Sequence, residues 1–216
     1  SDSHLLASDD IDISLHDQNW VLPDGNHTIS FKKLHFSGKN QRFELDSCVI
    51  HGMATAEKGA MSLSADRFVF NSKHLPAIYM KDELLIDTLL CIHPVLKLPR
   101  SHKPQQVKDT ATIAGAAHQL FKKINIQYID VREGELLLKN HDTTAAMASA
   151  QKNNLKIFNL NIHPAANPPI TTDSIQFNLK EIRFYSPDSL FQIAIDEFTL
   201  LRNDIIFTNA VYGPSP

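Results

Sequence analysis

Apolar and polar residues alternate at the start of "SIQFNLKEIRFY" (Ser174 to Tyr185), where Ile175, Phe177 and Leu179 are separated by polar neighbours. That is the pattern of a strand with one buried face. The alternation then slips by one position and resumes at Ile182 and Phe184. A one-residue slip turns every later side chain to the other face of a regular strand. The same pattern, apolar-x-apolar-x-x-apolar-x-apolar, recurs through the chain. It fits Ile29, Phe31, Leu34, Phe36; then Phe43, Leu45, Cys48, Ile50; Leu63, Ala65, Phe68, Phe70; and Leu84, Ile86, Leu89, Cys91. In the second half it fits Ile124, Ile126, Ile129, Val131; Leu155, Ile157, Leu160, Ile162; Phe177, Leu179, Ile182, Phe184; and Ile193, Ile195, Phe198, Leu200.

Helix does not account for these positions. At about 100° per residue they point to about 0°, 200°, 140° and 340°, which is no stripe. Strand accounts for them if each strand is irregular at its middle. A β-bulge sets two residues against one and bends the strand, so both halves keep their apolar side chains on one face. The other possibility is a strand whose halves feed two different cores. The residues inside the slip are often charged, as in Lys32-Lys33, Asp66-Arg67, Lys180-Glu181 and Asp196-Glu197, which suits a bend turned outward.

Turn signals separate the units: "PDGN" (Pro23 to Asn26), "SGKN" (Ser37 to Asn40), "EKG" (Glu57 to Gly59), "REGE" (Arg132 to Glu135), "SPDS" (Ser186 to Ser189) and "RND" (Arg202 to Asp204). Their short spacings predict antiparallel hairpins. One helix is expected from "DTATIAGAAHQLFKKI", with Asp109 as N-cap and Ile113, Ala116, Ala117, Leu120 and Phe121 on one face. "LPRSHKPQQVK" and "HDTTAAMASAQKNN" read as connectors, the second with an Ala run able to form a helical turn, and "HPAANPP" reads as a rigid break. The expected fold is mainly β: an antiparallel meander of about eight bent strands forming a curved groove or half-barrel, with one or two short helices. Residues 1–216 are expected to form one β-rich domain, with an internal division near 100–121.

Such a sheet has more apolar surface than the chain can cover. Eight strands span roughly 38 Å at about 4.8 Å each, whereas a helix of about 16 residues is roughly 24 Å long and 10 Å across. The face must close on itself, meet another chain, or bind something apolar. Composition narrows the partners. A net charge of −3, with 21% charged residues and no basic stripe, excludes an ordinary nucleic-acid binder. No apolar run is long enough to span a membrane. The polar opening "SDSHLLASDDIDISLHD" has no signal peptide and no initiator Met, and reads as a trimmed chain, which leaves room for a signal or an N-terminal anchor to have been cut away.

Catalytic patterns are sparse. Eleven histidines occur without H-E-x-x-H or H-x-H, and there is no G-x-S-x-G or glycine-rich phosphate loop. His93 and His163 share an Ile-His-Pro context and read as exposed strand-end histidines, with a ligand pair as the alternative. Cys48 and Cys91 sit at apolar slots and read as buried thiols, without zinc spacing. Asp87, Asp130 and Asp196 recur near slips and suit backbone bonding at a bend better than acid–base pairing. No catalytic residue, metal or cofactor is expected.

Two stretches carry a family resemblance. "INIQYIDVREGELLLKN" (Ile124 to Asn140) resembles the recurring hairpin of AsmA-like proteins. "KDELLIDTLLCIHPVLKLP" (Lys81 to Pro99) resembles the same family's "L-x-I-D-x-h-x-h-x-x-P-x-h-x-h" element, and "FQIAIDEFTLLRNDIIFTNA" is a looser copy. The segment 100–121 and "TTAAMASAQ" depart from that array. The resemblance to AsmA-like and TamB-like proteins implies an envelope protein of Gram-negative bacteria, periplasmic and inner-membrane anchored in its full length. It implies a non-enzymatic groove that binds or conducts lipid, phospholipid or fatty acyl, in outer-membrane homeostasis. The aromatics Phe31, Phe36, Phe68, Phe70, Phe177, Phe184 and Phe198 are the candidates for lining it, with ordinary core packing as the alternative for each. The expected partners are lipid or another long apolar ligand, a membrane through the preceding anchor, and an envelope protein. The second reading is an envelope scaffold with a closed β core acting through protein contacts. A hydrolase using Asp and His at strand ends ranks below both.

Overall fold

The computed structural model describes residues 11–22, 25–52, 61–73, 81–99, 122–139, 146–163, 166–186, 188, 190–201 and 204–215. The twelve elements among these residues are all strands: β1 (Asp12–Val21), β2 (His27–Ser37), β3 (Arg42–Gly52), β4 (Ser62–Asn71), β5 (Glu83–Ile92), β6 (Val95–Pro99), β7 (Lys123–Lys139), β8 (Ala146–Ile162), β9 (Ile170–Thr171), β10 (Ser174–Tyr185), β11 (Phe191–Leu201) and β12 (Asp204–Pro214). Each slipped unit lies inside one of them, because each half of the pattern alternates with the pleat and an irregularity between the halves restores the common face. The strands make a single sheet in the order β1-β2-β3-β4-β5-β7-β8-β10-β11-β12, with β6 between β4 and β7 and the short β9 beside β8. The chain is thus mainly β and mostly antiparallel, and among the described residues β1 and β12 are the outermost strands.

One pairing departs from the meander. β5 and β6 run parallel to β7, from Glu83↔Lys123 through Ile92↔Arg132 and on from Val95↔Glu135. Parallel neighbours need a crossover rather than a tight turn, and in sequence that connection is the segment 100–121. The helix expected there lies outside the described residues, as does "EKG".

The slips are not simple bulges. From β1 to β4, and from β10 to β12, each antiparallel pair keeps one register from end to end. Lys33↔Asp46 and Ser30↔Val49, for example, flank the irregularity of β2 and β3 with the same offset. Because neighbouring strands each carry the extra residue at the same level, extra residue faces extra residue and no register is lost. The irregularities align into a crease across the strands. Its left-handed residues are Asp17 (φ 50°), Ser47 (51°), His93 (48°), Glu133 (53°), Lys152 (52°), Glu181 (50°) and Asn209 (48°). Between left-handed strands in the regular parts lie β2, β4 and β11, which have no left-handed residue at the crease. Where two left-handed strands meet antiparallel, at β7–β8 and β8–β10, the register shifts.

β5, β7 and β8 carry a second irregularity, and there the packing shows that both halves of a strand serve one face. Ile86, Ile126 and Ile129 form a buried cluster, packed against Phe70, Leu84, Leu89, Ile124, Val131, Ile157 and Leu160. These residues come from both sides of the slips at Asp87-Thr88, Gln127-Tyr128 and Phe158-Asn159. The two-core alternative is therefore set aside.

Three local expectations are corrected. "REGE" is no turn: β7 runs through it, and the crease there needs a left-handed residue, which is Glu133 rather than the glycine beside it. Gly134 is tightly packed instead, since a Cβ would sit 3.2 Å from Pro94 Cγ. The Ala run is extended from Ala146 onward, where pairing with β7 overrides its helix propensity. Finally, Asp130 does not bond backbone; Arg132 donates to its carboxylate at 2.9 and 2.7 Å. Asp87 does accept a backbone N–H, from Lys73 at 2.9 Å, and Asp196 accepts from the Asn209 side chain at 3.1 Å.

Candidate functional site: an apolar face and a polar crease

Directly paired residues share a face, so the registers read out the apolar side of the sheet as rows. One row crosses ten strands without a polar residue: Leu15, Leu34, Leu45, Phe68, Cys91, Val131, Leu155, Phe177, Leu200 and Ile205. Nine steps of about 4.8 Å make it about 43 Å long. Beside it runs Ile13, Phe36, Phe43, Phe70, Leu89, Ile129, Ile157 and Ile175. On the other side of the crease Trp20, Ile29, Ile50, Leu63, Leu96, Leu136 and Ala150 are paired in turn.

Four of the seven aromatics expected from the sequence stand in these rows. Phe68 and Phe177 stand in the ten-strand row, and Phe36 and Phe70 in its neighbour. Phe36, Phe43 and Phe70 form a continuous stack, with centroids 4.4 and 4.5 Å apart. Phe198 touches both Phe177, at 5.2 Å, and Phe207, at 4.7 Å. Phe31 is buried against the edge of Trp20, at 4.9 Å, whereas Phe184 is 45% exposed and pairs with Ile193. The centre of the face is therefore packed and its flanks are open: Ile13, Trp20, Ile193, Ile205 and Phe207 are all exposed. Trp20, Phe43 and Phe207 were missing from the expected set. β12 fits the slipped template at Ile205, Phe207, Ala210 and Tyr212, so its signal was present; in β1 the polar Gln18 occupies an apolar slot and hides it.

The crease presents the opposite chemistry. Its residues Asp17, Lys32, Ser47, Asp66, His93, Glu133 and Lys152 are exposed. His93 bridges two strands, with Nδ1 2.8 Å from Asp66 Oδ2 and Nε2 3.0 Å from Glu133 Oε2. Both carboxylates only accept, so the ring serves them fully as an imidazolium, donating from each nitrogen. The Asp66 bond first, and the Glu133 bond second, raise its pKa above the ordinary histidine value. Lys152 donates to Glu181 at 2.5 Å further along, and Arg67 to Asp46 at 2.8 Å. These are aligned, exposed ion pairs that clamp neighbouring strands where the backbone ladder is interrupted.

The Asp66–His93–Glu133 group was invisible in sequence because its members lie on β4, at the β5–β6 junction and on β7. Its distances are those a hydrolase would need, but with both ring nitrogens held by carboxylates none is free to act as a base. Ser47 and Cys48 line the shallow depression beside it. Burial pushes the Cys48 thiol up to about 11, and burial together with Cys48 pushes Cys91 up to about 12, so neither is an activated nucleophile. Both cysteines are free and buried, as their apolar slots imply. His163 is exposed after β8. Among the described residues no three His, Cys, Asp or Glu side chains are placed to hold a metal ion, and no helix is long and apolar enough to cross a membrane. No family model matches this chain, and no curated protein matches it at a significant level.

Proposed function

We propose that the apolar face is a lipid-binding surface, and that the chain is a non-enzymatic segment that holds or conducts phospholipid or fatty acyl chains. The observation that carries this reading is the ten-strand row from Leu15 to Ile205, apolar at every position and exposed at its β12 end. A packed core needs apolar residues but not an unbroken track about 43 Å long that runs out to an open flank. The resemblance of Lys81–Pro99 and Ile124–Asn140 to AsmA-like and TamB-like elements supports the same reading and adds a periplasmic, inner-membrane-anchored setting with a role in outer-membrane homeostasis.

The test is native mass spectrometry of the chain purified from a bacterial host, with organic extraction of co-purifying material and titration with a fluorescent fatty acid. Bound acyl lipid, lost on Leu155→Asp or Phe177→Asp but kept on Lys156→Asp, is the expected result. A clean apo mass with no uptake overturns the proposal and leaves the scaffold reading, which the exposed apolar edge at β12 favours.

A further inference from the structure

We propose that the buried side chain of Asn153 is the polar contact point of the apolar face, and that the lipid it selects is an acyl chain carrying a hydroxyl group. The assignment rests on the lipid reading above and names the ligand class within it.

The crease has an inner line on the apolar face as well as an outer, charged one. In β3, β7, β8 and β10 the residue after the left-handed one belongs to this inner line: Cys48, Gly134, Asn153 and Ile182 follow Ser47, Glu133, Lys152 and Glu181. Cys48 pairs with Ala65, and Gly134 with Asn153. Pro94, which follows the left-handed His93, joins the two pairs: its carbonyl accepts from the Glu135 N–H at 2.7 Å, and its ring lies against Gly134. All of these residues are buried. Between the larger residues of the rows on either side, such as Leu45 and Ile50 or Phe68 and Leu63, the small Cys48, Ala65, Pro94 and Gly134 form the floor of a furrow that ends at Asn153. Its steps of about 4.8 Å per strand make it roughly 19 Å long.

Asn153 is the polar exception in this floor, and its amide is used by halves. Nδ2 donates to the Ala150 carbonyl at 2.8 Å, across the extra residue that β8 carries between Gly134↔Asn153 and Leu136↔Ala150. Oδ1 is enclosed and accepts no hydrogen bond from any described residue. A buried acceptor left unpaired carries a desolvation penalty that an apolar residue avoids. The crease itself does not call for an amide, because Ile182 fills the corresponding slot of β10 with no polar atom. β8 lies inside the sheet, between β7 and β10, so the unpaired oxygen has nothing to do with an outer strand.

The ligand chemistry follows from the acceptor. Oδ1 needs a donor. Carboxylates, esters and phosphodiesters only accept. An amide N–H donates but brings a carbonyl of its own, for which the floor shows no donor. A hydroxyl donates and accepts through a single atom. The rest of the furrow is apolar, so that hydroxyl belongs on an otherwise hydrocarbon chain. Because Asn153 is only 8% exposed, the chain reaches it by parting the side chains of the flanking rows and lying in the furrow itself.

The experiment uses the whole chain. Palmitic acid and β-hydroxypalmitic acid each displace a bound fluorescent fatty acid, while NMR follows the side-chain amide signal of Asn153. The hydroxy acid is expected to bind about tenfold more tightly, as one hydrogen bond to a buried acceptor allows. The Asn153 signal is expected to shift with the hydroxy acid and not with palmitic acid. In Asn153→Leu, which suits an apolar slot, the preference is expected to vanish. The wild-type titrations and the amide signal decide the matter even where that variant does not fold. Equal uptake of both acids by the wild-type chain overturns the assignment and leaves the lipid reading standing. A preference that survives Asn153→Leu places the hydroxyl elsewhere and overturns it too. Uptake of neither acid overturns the lipid reading and the assignment together.

Discussion

The two edges of the sheet are built alike and finished differently. β1 and β12 are of similar length, among the described residues each bonds one neighbour in unbroken register, and each carries a left-handed crease residue, Asp17 or Asn209. On the side away from the apolar rows β1 carries Asp12, Ser14, His16, Asp17 and Asn19, whereas β12 carries Asp204, Ile206, Thr208, Asn209 and Val211, with a single charge at Asp204. A charged edge resists pairing and an apolar one invites it. The backbone makes both edges sticky; the side chains decide which one stays so.

The comparison assumes that neither edge was composed to hold the fold together. The largest expected effect tests that assumption. Ile129, buried at the centre of the face, should lose about 2–5 kcal/mol on Ile129→Ala. Ile13→Ala and Ile205→Ala remove residues that are 43% and 60% exposed, and each should cost less than about 1 kcal/mol by urea denaturation. An edge variant as costly as the central one would make edge composition a folding requirement.

Next come the creases. Asp17→Val and Asn209→Val put a β-branched side chain at φ 50° and 48°, and each should cost about 1–2 kcal/mol. Equal costs at the two edges support a shared crease; a large cost at one alone breaks the comparison there. Gly134→Leu, away from both edges, should cost about 1–3 kcal/mol, because Pro94 lies where its side chain must go.

The smallest effect is electrostatic. With its pKa raised by Asp66 and Glu133, His93 contributes stability that is fully present below the ordinary histidine value of about 6.5 and is lost as pH rises through the raised pKa. Melting temperature should therefore fall over that window in the wild-type chain and change less in His93→Gln. The β12 variant Ile206→Lys/Val211→Lys should keep the wild-type pH dependence, since the edge is remote from the clamp in strand order.

Much of the fold was legible from the spacing of apolar residues. The slip is a local property: a pleated strand with one extra residue keeps its face, so eight units could be read one at a time. Phe36, Phe68, Phe70 and Phe177 fall in the apolar rows for the same reason. The readings that failed did so where a local signal had a non-local cause. "REGE" carried turn residues, yet Glu133 takes the left-handed conformation within a continuous strand because β6 and β8 pair with β7 beyond it. Ala146–Ala150 carried helix propensity, which cross-strand pairing outweighed.

By itself, then, the sequence determined eight of the twelve described strands, the irregularity within each and which side chains of a strand share a face, because these follow from backbone geometry over a few residues. Only the tertiary structure decided that the bends line up without loss of register, that β5 and β6 lie parallel to β7, and that Asp66, His93 and Glu133 meet. Strand order and register join residues far apart in the chain, and no spacing within a strand specifies which other strand will lie beside it.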